Sequence, residues 1–310
     1  MTDLFLGVDL GGTFVKLGVS TAKGEVKGTL SIPTRPDLGP ENTVQRIGEA
    51  ANVLQKKAGK VRACCSGVPG PLDLSRRILM KANNLPGWNN VRFPQMLGNR
   101  LGMPTYMEND ANCAAWGEFV AGAGRGTSSL VLYTLGTGVG GGIILNGEMW
   151  VGSSGAAGAL GHMIIDPNGP LCPCGQKGCV EQYASASAVA VRFGQGTAKD
   201  CFDAARNGNA EALSVVDWSA EGLSRGVASV IQVLYPDIVV LAGGMALAGE
   251  FLLEKVRVGV KKKVYDVFED KVRIEVSQLP GDDAGWLGAA LWGARKFESR
   301  EIREPTPSPA

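Results

Sequence analysis

Residues 4–20 read LFLGVDLGGTFVKLGVS, and residues 128–145 read SSLVLYTLGTGVGGGIIL. Each is an apolar run, a break of glycine and threonine, and a second apolar run. Short runs rich in Val, Leu, Ile and Phe, punctuated by Gly, predict strand, turn, strand. After the first pair, Lys23-Gly24 makes another turn and Val26–Ile32 continues as a third strand. A P-loop or a dinucleotide fingerprint would send its glycines into a helix; here a strand follows. Gly11, Gly12 and Thr13, and later Gly136, Thr137 and Gly138, therefore read as hairpins whose backbone amides face an anion with no Cβ in the way. An ordinary hairpin also accounts for DLGGT alone. Five glycines within residues 136–142 are harder to explain structurally, since each costs backbone entropy. Two such hairpins, one per half, read as a duplicated phosphate clamp. Asp9, two residues before the first turn, is placed to hold Mg2+ through water.

Around these hairpins the pattern alternates. Asn42–Lys57 has helical spacing, Val61–Val68 is a buried strand, and residues 67–71 (GVPGP) form a rigid loop. Residues 83–88 (NNLPGW) are irregular and polar. A helix over Phe93–Arg100 and a strand over Pro104–Met107 lead to Glu108-Asn109-Asp110-Ala111-Asn112, then to a helix over Cys113–Ala121. Asp110 thus sits near a helix N-terminus, where negative charge is favoured; an N-cap reads the same way. Helices over Ala184–Phe193, Ala198–Asn207 and Ala210–Leu234 follow. Then come a strand over Pro236–Leu241, a helix over Phe251–Val264, a strand over Val272–Ser277 and an Ala- and Gly-rich helix over Ala284–Phe297. Strands alternating with helices make the class α/β.

Residues 161–181, GHMIIDPNGPLCPCGQKGCVE, carry the chain's single histidine, His162, and three of its seven cysteines, Cys172, Cys174 and Cys179. One imidazole and three thiolates make a closed tetrahedral set, which suits structural zinc. Three cysteines do not all pair among themselves, and nothing else looks secreted. With no open coordination position, the metal is structural and fixes its neighbours, His162 and Glu181 above all.

The 310 residues suffice for two domains. A net charge of +1 argues against a nucleic-acid or membrane partner held by bulk electrostatics. No signal peptide and no bilayer-length apolar run are visible, which reads as a cytoplasmic protein with reduced cysteines.

Taken in order, DLGGTFVKLGV, SGVPGPLD, NLPGW, ENDAN, LGTGVGGGI, GHMIIDPNG and CPCGQKGCVE resemble the ROK family (repressors, open reading frames and sugar kinases), over nearly the whole chain. The resemblance implies an actin-like ATPase fold of ribonuclease H-like type, with two α/β domains, an interdomain cleft and a structural zinc loop. Domain boundaries are expected at 1–115 and 116–289, with a helix of about 290–302 completing the first domain and 303–310 a polar tail. It implies transfer of phosphate from ATP to a hexose, first of all glucose at its 6-hydroxyl. In these terms Asp110 is the general base. Gly70, Asn84, Asn109, Asp110, His162 and Glu181 contact sugar. Asp9 serves Mg2+, and Gly11, Gly12, Thr13, Gly136, Thr137 and Gly138 hold phosphates. Gly243 and Gly244 pass the adenosine side. A homodimer or homotetramer is implied as well.

One departure matters. Family kinases read G-E-[IL]-G-H before the cysteines, with the glutamate bonded to sugar; here the stretch is GALGH, and Ala159 stands in that place. A lost charged hydrogen bond costs about 1.5–3 kcal/mol, or roughly 10- to 100-fold in affinity. This opens the substrate to fructose, mannose, allose or an N-acetylhexosamine, and leaves a non-catalytic sugar sensor as a further alternative. Family repressors carry a helix-turn-helix before DLGGT; with that motif starting at Asp9 no such module is expected.

Overall fold

The computed structural model describes residues 2–82, 85–268, 271–279 and 283–303. Two compact units emerge. The first comprises residues 1–121, 151–157 and 282–310, and the second residues 122–150 and 158–281. The segment Val151–Ala157, placed by the sequence in the second domain, returns to the first unit.

The first unit is built on β1 (Leu4–Leu10), β2 (Phe14–Thr21), β3 (Val26–Pro33), β4 (Ala63–Val68) and, beyond a small hairpin of β5 (Leu79–Lys81) and β6 (Asn89–Val91), β7 (Thr105–Asn109). The five-stranded sheet has the order β3-β2-β1-β4-β7. Pairing is antiparallel through β1–β3 and parallel from β1 to β7. Its helices are α1 (Gly39–Ala58), α2 (Phe93–Leu101), α3 (Asp110–Ala121) and the C-terminal helix, Asp283–Arg303. The expected tail lies almost wholly outside the described residues.

Strand periodicity decides the layers. Leu6, Val8 and Leu10 point into a core with Val44, Ile47 and Leu54 of α1. Phe5 faces the other way, against Ala290 and Ala294 of the C-terminal helix. Gly7 and Gly18 share that second face because a Cβ on either would run into Trp286. The Ala- and Gly-rich composition of this helix has the same cause. A Cβ on Gly288 would lie 1.7 Å from the Cys113 carbonyl oxygen, so α3 and the C-terminal helix meet backbone to backbone. Gly288→Val is expected to cost at least about 3 kcal/mol through overpacking, read as a lower melting temperature.

The second unit repeats the design. β8 (Leu130–Leu135), β9 (Val139–Leu145), β10 (Glu148–Met149), β11 (Ile238–Ala242) and β12 (Arg273–Val276) form a sheet of order β10-β9-β8-β11-β12. Here too an antiparallel three-strand meander continues into parallel strands. Helices α4 (Glu181–Ala184), α5 (Ala186–Phe193), α6 (Ala198–Arg206), α7 (Ala210–Leu234) and α8 (Glu250–Lys261) pack on it. The single helix expected over 184–193 is broken at Ser185, whose extended backbone and side chain cap α5 by accepting from the Ala188 amide. Among the described residues no helix is long and apolar enough to cross a membrane.

Candidate active site and metal centre

In the first unit the polar residues gather where the parallel strands end. Asp9 stands beside Gly67 in register, and Gly67 beside Glu108. A Cβ on Gly67 would touch the Asp110 Cα, at 3.5 Å, so Asp9 and Asp110 share the carboxyl edge of this sheet. Open α/β sheets bind ligands at that edge.

The helix expected from Cys113 begins at Asp110. Its cap is Asn109, whose Oδ1 accepts from the amides of Ala111 at 3.0 Å and Asn112 at 3.3 Å. Asn109 Nδ2 donates to the Gly70 carbonyl at 3.5 Å. Gly70 has φ 97°, and a Cβ there would lie 2.1 Å from the Lys81 oxygen, so glycine is needed to bring that carbonyl to Asn109. Asp110 Oδ1 accepts from the Ala111 amide at 2.8 Å. Burial raises the Asp110 carboxyl above the usual aspartate range, against hydrogen bonds that pull it down. A carboxylate made more basic at a helix start is suited to accept a proton.

Two residues of this site were not read from the sequence. Glu108, 2% exposed, is the next-to-last residue of β7 and points inward. Its Oε1 accepts from the Asn109 amide at 2.9 Å and from Asn112 Nδ2 at 3.0 Å. Its Oε2 pairs with Arg76 Nε at 3.0 Å. Removing one partner of so buried a pair leaves an uncompensated charge, so Arg76 supports the Asn109-Asp110 turn through Glu108. A carboxylate inside a strand was the available signal for Glu108. Arg76, 32 positions away, offered none.

The Gly-rich turns divide their labour differently from expectation. The Gly11 amide donates to the Phe14 carbonyl at 3.0 Å and closes the turn. Gly11 therefore shapes the hairpin, and among the described residues the amides of Gly12 and Thr13 have no hydrogen-bond acceptor. In the second hairpin the Gly136 amide likewise donates to the Gly138 carbonyl at 3.0 Å, leaving the amides of Thr137 and Gly138. The glycines at 140–142 lie inside β9, not in the turn. Gly141 has a structural reason: a Cβ there would meet the Gly158 carbonyl and Leu160, each at 2.5 Å. Gly243, φ 89°, ends β11 with its missing Cβ 2.7 Å from the Leu135 oxygen, and around Gly244 there is open space.

Glu181 ties this hairpin to the cysteines. Its Oε2 accepts from the Val139 amide at 2.9 Å, and its Oε1 lies 3.8 Å from Cys172 Sγ. A Cβ on Gly138 would sit 2.5 Å from that Oε2.

His162, Cys172, Cys174 and Cys179 place their ligand atoms within 4.8 Å of one another. Cys172 Sγ is 3.7 Å from His162 Nδ1, and Cys174 Sγ is 3.6 Å from Cys179 Sγ. Tetrahedral zinc with its usual bond lengths sets S···S and S···N edges of about 3.6–3.8 Å, so the donor set fits the ion. Burial pushes the Cys179 thiol up to about 12, while the Gln176 amide lowers Cys174. A bound dication is what lets such thiols ionise together. The loop has its own braces: Tyr183 Oη donates to Asp166 Oδ2 at 3.0 Å, and the Cys172 amide donates to the Gln176 carbonyl at 2.7 Å. Ala159, exposed, caps the short turn Leu160–His162. Asn84 lies outside the described residues.

Similar proteins match this architecture along its length. The ROK family model covers residues 5–296. A glucokinase from Thermotoga maritima is 36% identical, spanning 92% of this chain and 95% of that protein. An N-acetylmannosamine kinase from Escherichia coli O157:H7 is 31% identical, over 92% and 97%. The crystal structure of a ROK family glucokinase from Streptomyces griseus in complex with glucose and AMPPNP superposes with a TM-score of 0.78 at 31% identity, covering 94% of this chain and 99% of that one. With the family model matched over residues 5–296, and this paired-sheet, actin-like ATPase fold beneath it, the chain belongs to the ROK family.

Proposed function

We propose that the chain is an ATP-dependent sugar kinase that phosphorylates a hexose, glucose in the first place. The observation that carries the reading is Asp110: a carboxyl raised by burial, at the carboxyl end of the parallel strands of a mixed sheet, on a turn fixed by Asn109, Glu108 and Arg76.

Phosphoryl transfer asks for positioning and charge neutralisation more than for covalent chemistry. Asp110 takes the proton of the attacking sugar hydroxyl. That oxygen bonds to the γ-phosphorus as the bond from phosphorus to the β,γ-bridging oxygen breaks, and ADP departs. The amides of Gly12 and Thr13 and of Thr137 and Gly138 donate to phosphate oxygens. Asp9 and its neighbours would hold Mg2+, which neutralises phosphate charge when bound. Asn109 and His162 donate to or accept from sugar hydroxyls, and Glu181 adds its remaining lone pairs. If His162 held zinc through Nδ1, Nε2 of the same ring would be left for the sugar. Gly70 and Asn84 complete the sugar side, and Gly243 and Gly244 leave the nucleotide room.

A second reading has its own support. Ala159 removes a carboxylate that the family uses on sugar, and an N-acetylmannosamine kinase is among the relatives. The test is ADP formation from Mg-ATP over glucose, mannose, fructose, allose, N-acetylglucosamine and N-acetylmannosamine. The expected result is highest kcat/KM on glucose, with Ala159→Glu lowering the glucose KM by roughly 10- to 100-fold. Turnover confined to another sugar assigns Ala159 to specificity. Sugar binding without turnover on any of them replaces the kinase with a sensor.

A further inference from the structure

On the first unit a cavity of about 830 Å³ opens, and neither Asp110 nor a residue of the Gly-rich hairpins lines it. It is walled by the loop after Pro71, the start of α2, the middle of β7 and the C-terminal helix. Its size falls in the range of small-molecule sites. Four of its lining residues are cationic, Arg76, Arg77, Arg92 and Lys296, and none is acidic. The whole chain balances 31 cationic against 30 acidic residues, so a wall of one sign is a local excess.

The cations are also under-used. Arg76 pairs with Glu108 through Nε. Lys296 stands over the Trp292 ring at 4.4 Å. Neither Arg77 nor Arg92 has a carboxylate partner among the described residues, and both are exposed. Exposed basic residues are commonly just solvated. What differs here is that Arg77, Arg92 and Lys296 share one concave wall with the half-buried Arg76, beside Tyr106 and the largely buried ring of Trp292. Concave walls of one sign concentrate counter-charge. Guanidinium forks match phosphate oxygens two at a time, and an aromatic wall suits the organic part of a ligand.

We propose that this cavity binds a phosphorylated small molecule, its phosphate groups taken by Arg77, Arg92 and Lys296 and its organic part lying against Tyr106 and Trp292. The site does not depend on the reaction proposed above.

Isothermal titration of the full chain with inorganic pyrophosphate in magnesium-free buffer tests it. Arg77→Ala/Arg92→Ala, Lys296→Ala and the hairpin variant Gly138→Ala are titrated beside the wild type. The expected result is one site, weakened at least tenfold by the double variant and several-fold by Lys296→Ala. Gly138→Ala leaves it unchanged, and melting temperatures of the Arg and Lys variants stay at the wild-type value. No binding to the wild type overturns the proposal. So does binding that the double variant leaves intact, including binding that Gly138→Ala abolishes, which places pyrophosphate on the hairpins. No turnover is read, so failure of the kinase proposal leaves this result standing.

Discussion

Asp110→Asn is expected to lower kcat by on the order of 10³-fold while changing the sugar dissociation constant by less than about threefold. The amide keeps an oxygen for the Ala111 N–H and keeps the polar shape offered to sugar, but it does not accept the proton. The factor corresponds to about 4 kcal/mol of transition-state stabilisation. Two pH effects go with it. The base works ionised, and burial raises its folded pKa, so the acid limb of kcat/KM in the wild type falls at a pH above the ordinary aspartate value of about 3.9. For stability, a carboxyl with a raised folded pKa binds its proton more tightly in the native state. It therefore subtracts stability as pH rises from the unfolded pKa through the folded one. At neutral pH the asparagine variant, carrying no such charge, melts at or above the wild-type temperature. A variant that is inactive because it is unfolded melts lower, and the two cases separate in one scan.

Disrupting the proposed zinc site is expected to have the second large effect. Cys179→Ser removes a buried ligand from a set whose atoms lie within 4.8 Å of one another. Structural metal sites contribute folding free energy outright. A loss of at least about 3 kcal/mol lowers the melting temperature by roughly 6 °C or more in a unit of this size. The loss also travels. Cys172 Sγ lies 3.8 Å from Glu181 Oε1, and the other oxygen of Glu181 holds the Val139 amide at the end of the Gly136–Gly138 hairpin. Zinc removal is thus expected to weaken sugar and nucleotide binding together, by calorimetry. A metal-free chain with unchanged melting temperature and affinities would contradict the structural role.

Much of this was legible in the chain because local signals carried it. Glycine at a turn, period-two strands and a C-x-C-G-x-x-G-C spacing act over a few residues, and the hairpins, the sheets and the cysteine cluster follow from them. What was not legible is long-range. Arg76 and Glu108 are 32 positions apart and find each other only because β7 and the loop after Pro71 meet. Glycines at 7, 18 and 288 fall inside the expected strands and helix, and nothing local showed that each allows close packing, Gly7 and Gly18 against Trp286 and Gly288 against Cys113 of α3. The run at 136–142 mixed two causes: a turn at 136–138, and strand packing at Gly141 under Leu160. Glu181 looked like a sugar ligand alone. Its contact with Val139 makes it a brace as well, and that contact spans 42 positions.

The measurement that bears most directly on the kinase proposal is ADP release from Mg-ATP and glucose, wild type beside Asp110→Asn, with glucose binding measured on both. The proposal predicts turnover by the wild type, a loss on the order of 10³-fold in the variant, and nearly equal glucose binding. Comparable turnover by the two chains would remove Asp110 from the chemistry, and a wild type that binds sugar but releases no ADP with any hexose would contradict the kinase itself.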